Sequence, residues 1–344
     1  SLEFEIGASI PPESYLIENL KDKEIAQLIR KQLYRLITKK PLPLKTQTPI
    51  ASPEATKDLK KAIEECELLG ETSDGMKIYL YQYCGSSPIF RELGRLREIA
   101  FRAVGEGSGK RRDIDKYDMD YQHLVLWDAK QLELVGAYRL ACAQDIIEKH
   151  GRKGLYTDSL FSYSDDMAPY FEKGIELGRS FVQPKYWGRK SLDYLWFGIG
   201  AFVNRYPQYR YLFGAVSVSN ALPEQAKSLL VHYYQHYYGA KKVLAIPNNE
   251  YRHTESQKEQ CAQLFAGDDI KEDFVELKHV LANIGAQVPT LFKQYTELCE
   301  PGGVQFLSFS IDPEFNNCID GLVLVDLDKV KASKAKRYLG QPRE

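Results

Sequence analysis

From residue 56 to about 240 the apolar positions change spacing repeatedly. "TKDLKKAIEECELLGET" has the 3.6-residue spacing of a helix and stops at Gly70, while "MKIYLYQYC" alternates as a strand does. "SPIFRELGRLREIAFRAVGE" predicts a second helix, with a serine near its start and Gly105 beyond its end. "YQHLVLWD" and "LVGAYRLAC" predict two strands joined by the hairpin "AKQLE". Strand "GIELGRSFV", helix "KSLDYLWFGIGAFVNRY", strand "YLFGAVSVS" and helix "LPEQAKSLLVHYYQHYYG" follow. Hairpin-paired strands followed by strand–helix–strand imply a mixed sheet in an α+β chain, not a doubly wound one.

The flanks read differently. "SLEFEIGASIPPESYL" suggests a short strand broken at Pro11-Pro12. Then Ile25, Leu28, Ile29, Leu33, Leu36 and Ile37 form one stripe of a helix whose other face carries Lys23, Arg30, Lys31, Arg35 and Lys39. Such a helix suits an anionic membrane surface or a neighbouring domain. "KKPLPLKTQTPIASPEA" reads as a Pro-punctuated linker. After 240 come "KKVLAIPNNEY", a polar helical stretch over 251–282, a helix "VPTLFKQYTELCEP", and two strands in "GVQFLSFSIDPEFNNCIDGLVLVDL". These shifts divide the chain into 1–55, 56–240 and 241–344.

Composition narrows the classes. A chain of 344 residues with 44% apolar and 27% charged residues can bury a substantial core. The formal net charge of −1 argues against a nucleic-acid binder that relies on a positive field. The six cysteines are scattered and suit buried thiols in a cytoplasm, and they do not cluster with the six histidines at zinc-ligand spacing. No apolar run is long enough to cross a bilayer. A start at Ser rather than Met suggests a piece of a longer chain.

The densest chemistry lies in "GIELGRSFVQPKYWGRKS", residues 174–191. Glu176 and Arg179 stand three apart, so on a regular strand they face opposite sides. Either the strand bulges near Gly178 and brings both to one site, or one of them is a structural ion pair. Lys185, Arg189 and Lys190 surround Gly188 at a helix start, a seat for phosphate or pyrophosphate. Asp113, Asp115, Asp118 and Asp120 crowd "SGKRRDIDKYDMDYQHL". A calcium loop lacks its Gly there and would place Tyr117 at a ligand position, leaving solvated acids or a site for a substrate ammonium. "HLVLWD" matches a His-x4-Asp pattern, but on an alternating strand.

Taken in order, "LREIAF", "DKYDMDYQHLVLWD", "LVGAYRLA", "ELGRSFVQPKYW" and "YLFGAVSVSN" resemble the ornithine-lipid N-acyltransferases, often described as hemolysin-like. These belong to the GCN5-related N-acyltransferase (GNAT) superfamily and are distantly similar to acyl-homoserine-lactone synthases. The resemblance rests on Arg97 four before Phe101, Asp115 three before Asp118, Arg139 in a strand, and Glu176 three before Arg179. It covers 75–238, and loosely the closing "VPTLFKQYTEL…DPEFNNCIDGLVLVDL". It implies a mostly antiparallel mixed sheet with a splayed parallel strand pair, helices on its faces, a GNAT-like core over 56–240 completed by 241–344, and residues 1–55 as the tail of an upstream acyltransferase domain.

The implied reaction moves a 3-hydroxyacyl chain from acyl carrier protein to the amine of an amino acid such as ornithine. A homoserine-lactone-type signal synthase and a non-catalytic, membrane-associated hemolysin-like protein are the alternatives. Glu176 is expected as the base, with Arg179 beside it and a backbone N–H of Phe181 or Val182 holding the oxyanion. Arg97, Phe101, Asp115, Asp118 and Arg139 would bind the amino acid. Lys185, Gly188, Arg189, Lys190 and Ser217 would take the phosphopantetheine. The family's glycine-rich pyrophosphate loop survives only as "KYWGRKS", which favours a carrier-protein thioester over coenzyme A, with no tightly bound cofactor and no metal. A cytoplasmic protein, peripheral on the inner membrane at most, is expected.

Overall fold

A computed structural model describes residues 4–15, 20–265 and 269–340. In chain order the helices are α1 (Asp22–Ile37), α2 (Thr56–Glu64), α3 (Pro88–Arg102), α4 (Ala143–His150), α5 (Ala168–Glu172), α6 (Ser191–Arg205), α7 (Glu224–Tyr238), α8 (Glu255–Leu264), α9 (Ile270–Asn283), α10 (Thr290–Leu298) and α11 (Ala332–Tyr338). The strands are β1 (Glu67–Glu71), β2 (Met76–Gln82), β3 (Gln122–Asp128), β4 (Glu133–Cys142), β5 (Phe161–Tyr163), β6 (Gly174–Val182), β7 (Tyr211–Val218), β8 (Ala245–Pro247), β9 (Val304–Asp312) and β10 (Cys318–Asp326).

Eight strands form one sheet in the order β1-β2-β3-β4-β6-β7-β10-β9, and β5 pairs with β8 in a small second sheet. Every pairing in the large sheet is antiparallel except β6 with β7. The α+β fold, mostly antiparallel around one parallel pair, is therefore the one expected. Strands from the third segment complete the sheet, because β10 pairs along the whole of β7.

Period-two alternation sends side chains to two faces. On one face Leu124, Val135, Leu140, Ile175, Leu212 and Val323 pack under helices that include α6, α7 and α10. On the other, Tyr79, Val125, Trp127, Ala137 and Phe181 pack under α2 and α3, and Ala141, Phe213, Leu322 and Leu324 lie beside α4 and α5. Ser87 caps α3, its Oγ accepting the Phe90 N–H at 3.2 Å, with Pro88 in the first turn where no N–H is needed.

Two expectations change. The helix predicted through Gly70 ends at Glu64, and "ELLGE" is strand β1, captured by antiparallel pairing with β2. The expected N-terminal strand is reduced, over its described part, to a single bridge between Ser9 and Gln47. Helix α1 forms as expected, but Leu33, Tyr34 and Ile37 of its apolar stripe and flank are 56%, 61% and 68% exposed, so nothing among the described residues covers them.

Candidate functional site

Strands β6 and β7 run side by side only over Gly174↔Tyr211, Ile175↔Leu212 and Glu176↔Phe213. The next contact is a close one: a side chain at Gly214 would come within 2.0 Å of the Leu177 carbonyl oxygen. Beyond it the strands separate, each still held by its outer neighbour, β4 for β6 and β10 for β7. The gap opens into two joined chambers. The outer, about 830 Å³, is bounded by Phe181, Val182, Trp187, Arg189, the start of α6 and the loop before α10. The inner, about 90 Å³, is lined by Tyr138, Tyr156, Arg179, Phe315, Asp320 and others. Phe101, Glu106, Ser180, Ser217 and Leu291 line both.

A bulge settles the question raised by Glu176 and Arg179. Gly178 pairs with Arg139 and Phe181 with Ala137, so Arg179 and Ser180 together oppose the single Tyr138. Arg179, not Gly178, takes the left-handed conformation, at φ 47°. The extra residue puts Glu176 and Arg179 on the α3 face, on either side of Tyr156. The Tyr156 N–H donates to Glu176 Oε2 at 3.2 Å, and the Arg179 guanidinium lies 4.8 Å from the centre of the Tyr156 ring.

Glu176 itself is 1% exposed and lies outside the lining of both chambers. Oε1 accepts from the Thr157 N–H at 2.7 Å and hydroxyl at 2.6 Å, and Oε2 accepts from the Tyr121 hydroxyl as well as Tyr156. Burial raises its pKa, against the hydrogen bonds from Thr157 and Tyr121. The expected base is thus a fully engaged carboxylate that ties residues 156–157 to the sheet. The reason is local: "LYTD" wraps back over β6 and aims two backbone N–H groups at it.

The arginines and aspartates expected to bind the amino acid form a buried lattice on the same face. Arg97, from α3, donates to Asp118 at 2.7 Å and to Asp113 at 3.0 Å. Arg139 donates to Asp115 at 2.6 Å and Asp118 at 3.0 Å, and its guanidinium lies over the Tyr121 and Tyr156 rings. Arg179 reaches Asp115 at 3.3 Å. Burial works against the charged form of Asp118, yet Arg97 and Arg139 hold its carboxyl well below the usual range. Three arginines face three aspartates, and Arg97, Asp115, Asp118 and Arg139 all lie behind the chamber walls. Asp120, the fourth loop acid, pairs instead with Lys149 at 2.5 Å and His150 at 3.1 Å.

His123 is buried beside this lattice, its Nε2 3.3 Å from the Asp118 carbonyl, and burial lowers its pKa to about 4. Asp128 stands at the far end of the same strand, roughly 16 Å away at about 3.3 Å per residue. The His-x4-Asp match therefore makes no dyad.

Of the remaining expected residues, Phe101, Arg179, Phe181, Val182, Gly188, Arg189 and Ser217 line the chambers. The Gln183 N–H donates to Val135 at 2.8 Å, and Phe181 pairs with Ala137. Antiparallel pairs alternate, so Phe181 turns its N–H toward β4 and Val182 turns its own to the edge that β7 has left. Lys185 is drawn away by Glu133 at 2.5 Å. Lys190 is exposed just before α6, which has no side-chain cap, so first-turn N–H groups beside Gly188 and Arg189 are left for a ligand or water.

Glu106, Asp320 and Tyr156 were not singled out by sequence. Asp320 did leave a signal, an acid inside the apolar, buried run "CIDGLVLV". Glu106 left none, between two glycines in a loop. Tyr156 and Thr157 sit in a stretch without periodicity.

Residues 96–197 match the acetyltransferase (GNAT) domain family. The glycine N(alpha)-acyltransferase of Bacteroides thetaiotaomicron is 30% identical over 298 residues, covering 83% of this chain and 88% of that protein. Its counterpart from Phocaeicola vulgatus is 29% identical over 303 residues, 84% of this chain and 92% of that one. The L-ornithine N(alpha)-acyltransferase of Rhizobium meliloti is 31% identical over 146 residues, 40% of this chain and 48% of that protein. Among solved structures, the AHL synthase LasI aligns with 80% of this chain and 98% of its own at 8% identity, with a TM-score of 0.36.

Proposed function

Because the chain belongs to the N(alpha)-acyltransferase family built on the GNAT domain, we propose that it moves a fatty acyl chain from acyl carrier protein to the α-amine of a small amino acid. Glycine is the first candidate, since the relatives matched along more than four-fifths of this chain are named for it; ornithine is the second. The product is an N-acyl amino acid, an amphiphile of the aminolipid class.

The observation that carries this reading is the gap between β6 and β7, which joins the two chambers. A thioester arm laid in the gap would pair with the strand edge freed by β7, and the Val182 N–H would face its carbonyl oxygen as negative charge develops there. Arg179, lining the inner chamber, would hold the amino acid's carboxylate. The α6 start, Gly188 and Arg189 would take the phosphate of the arm, and exposed Arg189 and Lys190 would meet an acidic carrier protein. Without a glycine-rich loop to wrap a pyrophosphate, a carrier-borne thioester suits this mouth better than coenzyme A.

Among the described residues no helix is long and apolar enough to cross a membrane. The uncovered apolar residues of α1, flanked by Arg30, Lys31 and Arg35, would let the protein rest on an anionic membrane where its product partitions.

The test offers 3-hydroxyacyl carrier protein, or the matching coenzyme A thioester, together with a panel of amino acids, and follows thiol release and N-acyl product. Glycine- or ornithine-dependent release that is faster from the carrier is expected. Release only from coenzyme A would remove the carrier-protein assignment, and a lactone product would replace the reaction.

A further inference from the structure

Acyl transfer to an amino acid needs a group to take a proton from the ammonium, and Glu176 is fully engaged outside the chambers. We propose that Glu106 and Asp320 form the proton-accepting pair, facing the incoming amine where the two chambers meet. This rests on the acyltransfer reading above.

The geometry comes from three elements. Asp320 on β10 is the register partner of Ser217 on β7, so their side chains share a face, and Ser217 Oγ donates to Asp320 Oδ1 at 2.6 Å. Glu106 follows Gly105, which turns at φ 78° and whose carbonyl accepts the Asn316 side-chain N–H at 2.6 Å. That bond pins the loop after α3 to the β9–β10 turn and brings Glu106 into both chambers, while Asp320 lines the inner one.

The charge balance explains why these two acids are available. Arg97, Arg139 and Arg179 are already matched by Asp113, Asp115 and Asp118. Glu106 and Asp320 are further acids in the same region, and among the described residues Arg179 is the cation acting on both. The other groups facing them are Tyr156, whose hydroxyl donates to Asp312 at 2.9 Å, Asp312 itself on β9, and Cys318 on β10. Burial, reinforced by the Asp320 charge, pushes Glu106 up to about 8 against the pull of Arg179. Burial pushes Asp320 up to about 7, with Ser217 and Arg179 opposing and Asp312 adding. Both shifts put an acid near neutral pH, where a base for an amine is most effective.

In the step itself, one ammonium proton passes to the Glu106–Asp320 pair and the nitrogen lone pair forms the C–N bond to the thioester carbonyl carbon. The tetrahedral adduct then breaks its C–S bond. The departing thiolate takes a second proton from nitrogen, and the acid pair returns the first to solvent. One thioester and one ammonium give one amide, one thiol and one proton, with no oxidant or metal required.

The test compares wild type with Glu106→Gln, Asp320→Asn and the double variant, using acyl carrier protein and the accepted amino acid. The expected result is a fall in kcat of about 10²–10⁴-fold with the carrier's KM little changed. Wild-type rate should level off above about pH 8, whereas the variants should keep climbing as solution supplies free amine. Ser217→Ala, which deletes the hydrogen bond that favours ionised Asp320, should move the acid limb of the profile upward, which a purely structural role would not do. Variants within about threefold of wild type and with its pH profile would overturn the proposal. Infrared titration of the carboxylic-acid C=O band is independent of turnover: a band that disappears between about pH 6 and 9 in wild type should be reduced in each single variant. Its persistence unchanged would sink the pair, whereas wild type inactive toward every amine would sink the reaction instead.

Discussion

Two groups of acids lie on the same face of one sheet, a few strands apart, and they differ in almost everything that governs reactivity. In the lattice around Arg97, Arg139 and Asp118 every carboxylate has a guanidinium, and Glu176 beside it has four donors. In the cleft, Asp320 has one serine and Glu106 faces it across the chambers. The first group is fixed and compensated behind the chamber walls; the second is under-compensated and lines the chambers. A recognisable charged motif can therefore be the frame that shapes a site, while the groups free to exchange protons stand where the frame's compensation runs out.

The comparison breaks most severely at the lattice. Arg97→Ala would leave Asp113 and Asp118 buried without their shared cation and should cost about 3–5 kcal/mol in chemical denaturation. A loss below about 1 kcal/mol would mean the lattice is not a closed unit. Next in size, Glu176→Gln puts an NH₂ group against two donors whichever way it turns. Stability should fall by about 1–3 kcal/mol, with a lower Tm; unchanged melting together with abolished turnover would restore Glu176 as the base.

Arg189→Glu acts only at the mouth of the cleft. It should raise the KM for the carrier on the order of tenfold and weaken the salt dependence while leaving Tm alone; an equal effect on a coenzyme A donor would assign Arg189 to the phosphate rather than the carrier. A further contrast runs through pH. Asp320 holds its proton more tightly folded, at about 7, than its ordinary 3.8. The stability this contributes is complete below about pH 4 and is lost as pH rises through 7. Asp320→Asn does not titrate, so its Tm should gain on wild type by a few degrees between pH 4 and 8, measured by differential scanning calorimetry.

Much of the architecture was legible because it depends on local pattern. The continuous apolar runs in "HLVLW" and "GLVLV" and the 3.6-residue spacing in "FRELGRLREIAF" specified strands and helices that tertiary packing had no reason to override. Where it did override, as in β1, the deciding contact was a partner strand. The charged residues around Glu176 were legible for the same reason: acids and bases at fixed spacing within single elements are visible along a chain.

What the sequence by itself determined is most of the strands and helices of the large sheet and its mixed pairing; it also marked "ELGRSFVQPKYW", which runs along the chambers. Only the tertiary structure decided which charged groups are compensated and which face the cleft. Compensation is a long-range property: Arg97 meets Asp113 and Asp118 across a loop, Ser217 meets Asp320 across 103 positions, and Asn316 holds Gly105 across 211. Burial and the nearest opposite charge set the protonation of an acid, and neither is written in the residues on either side of it.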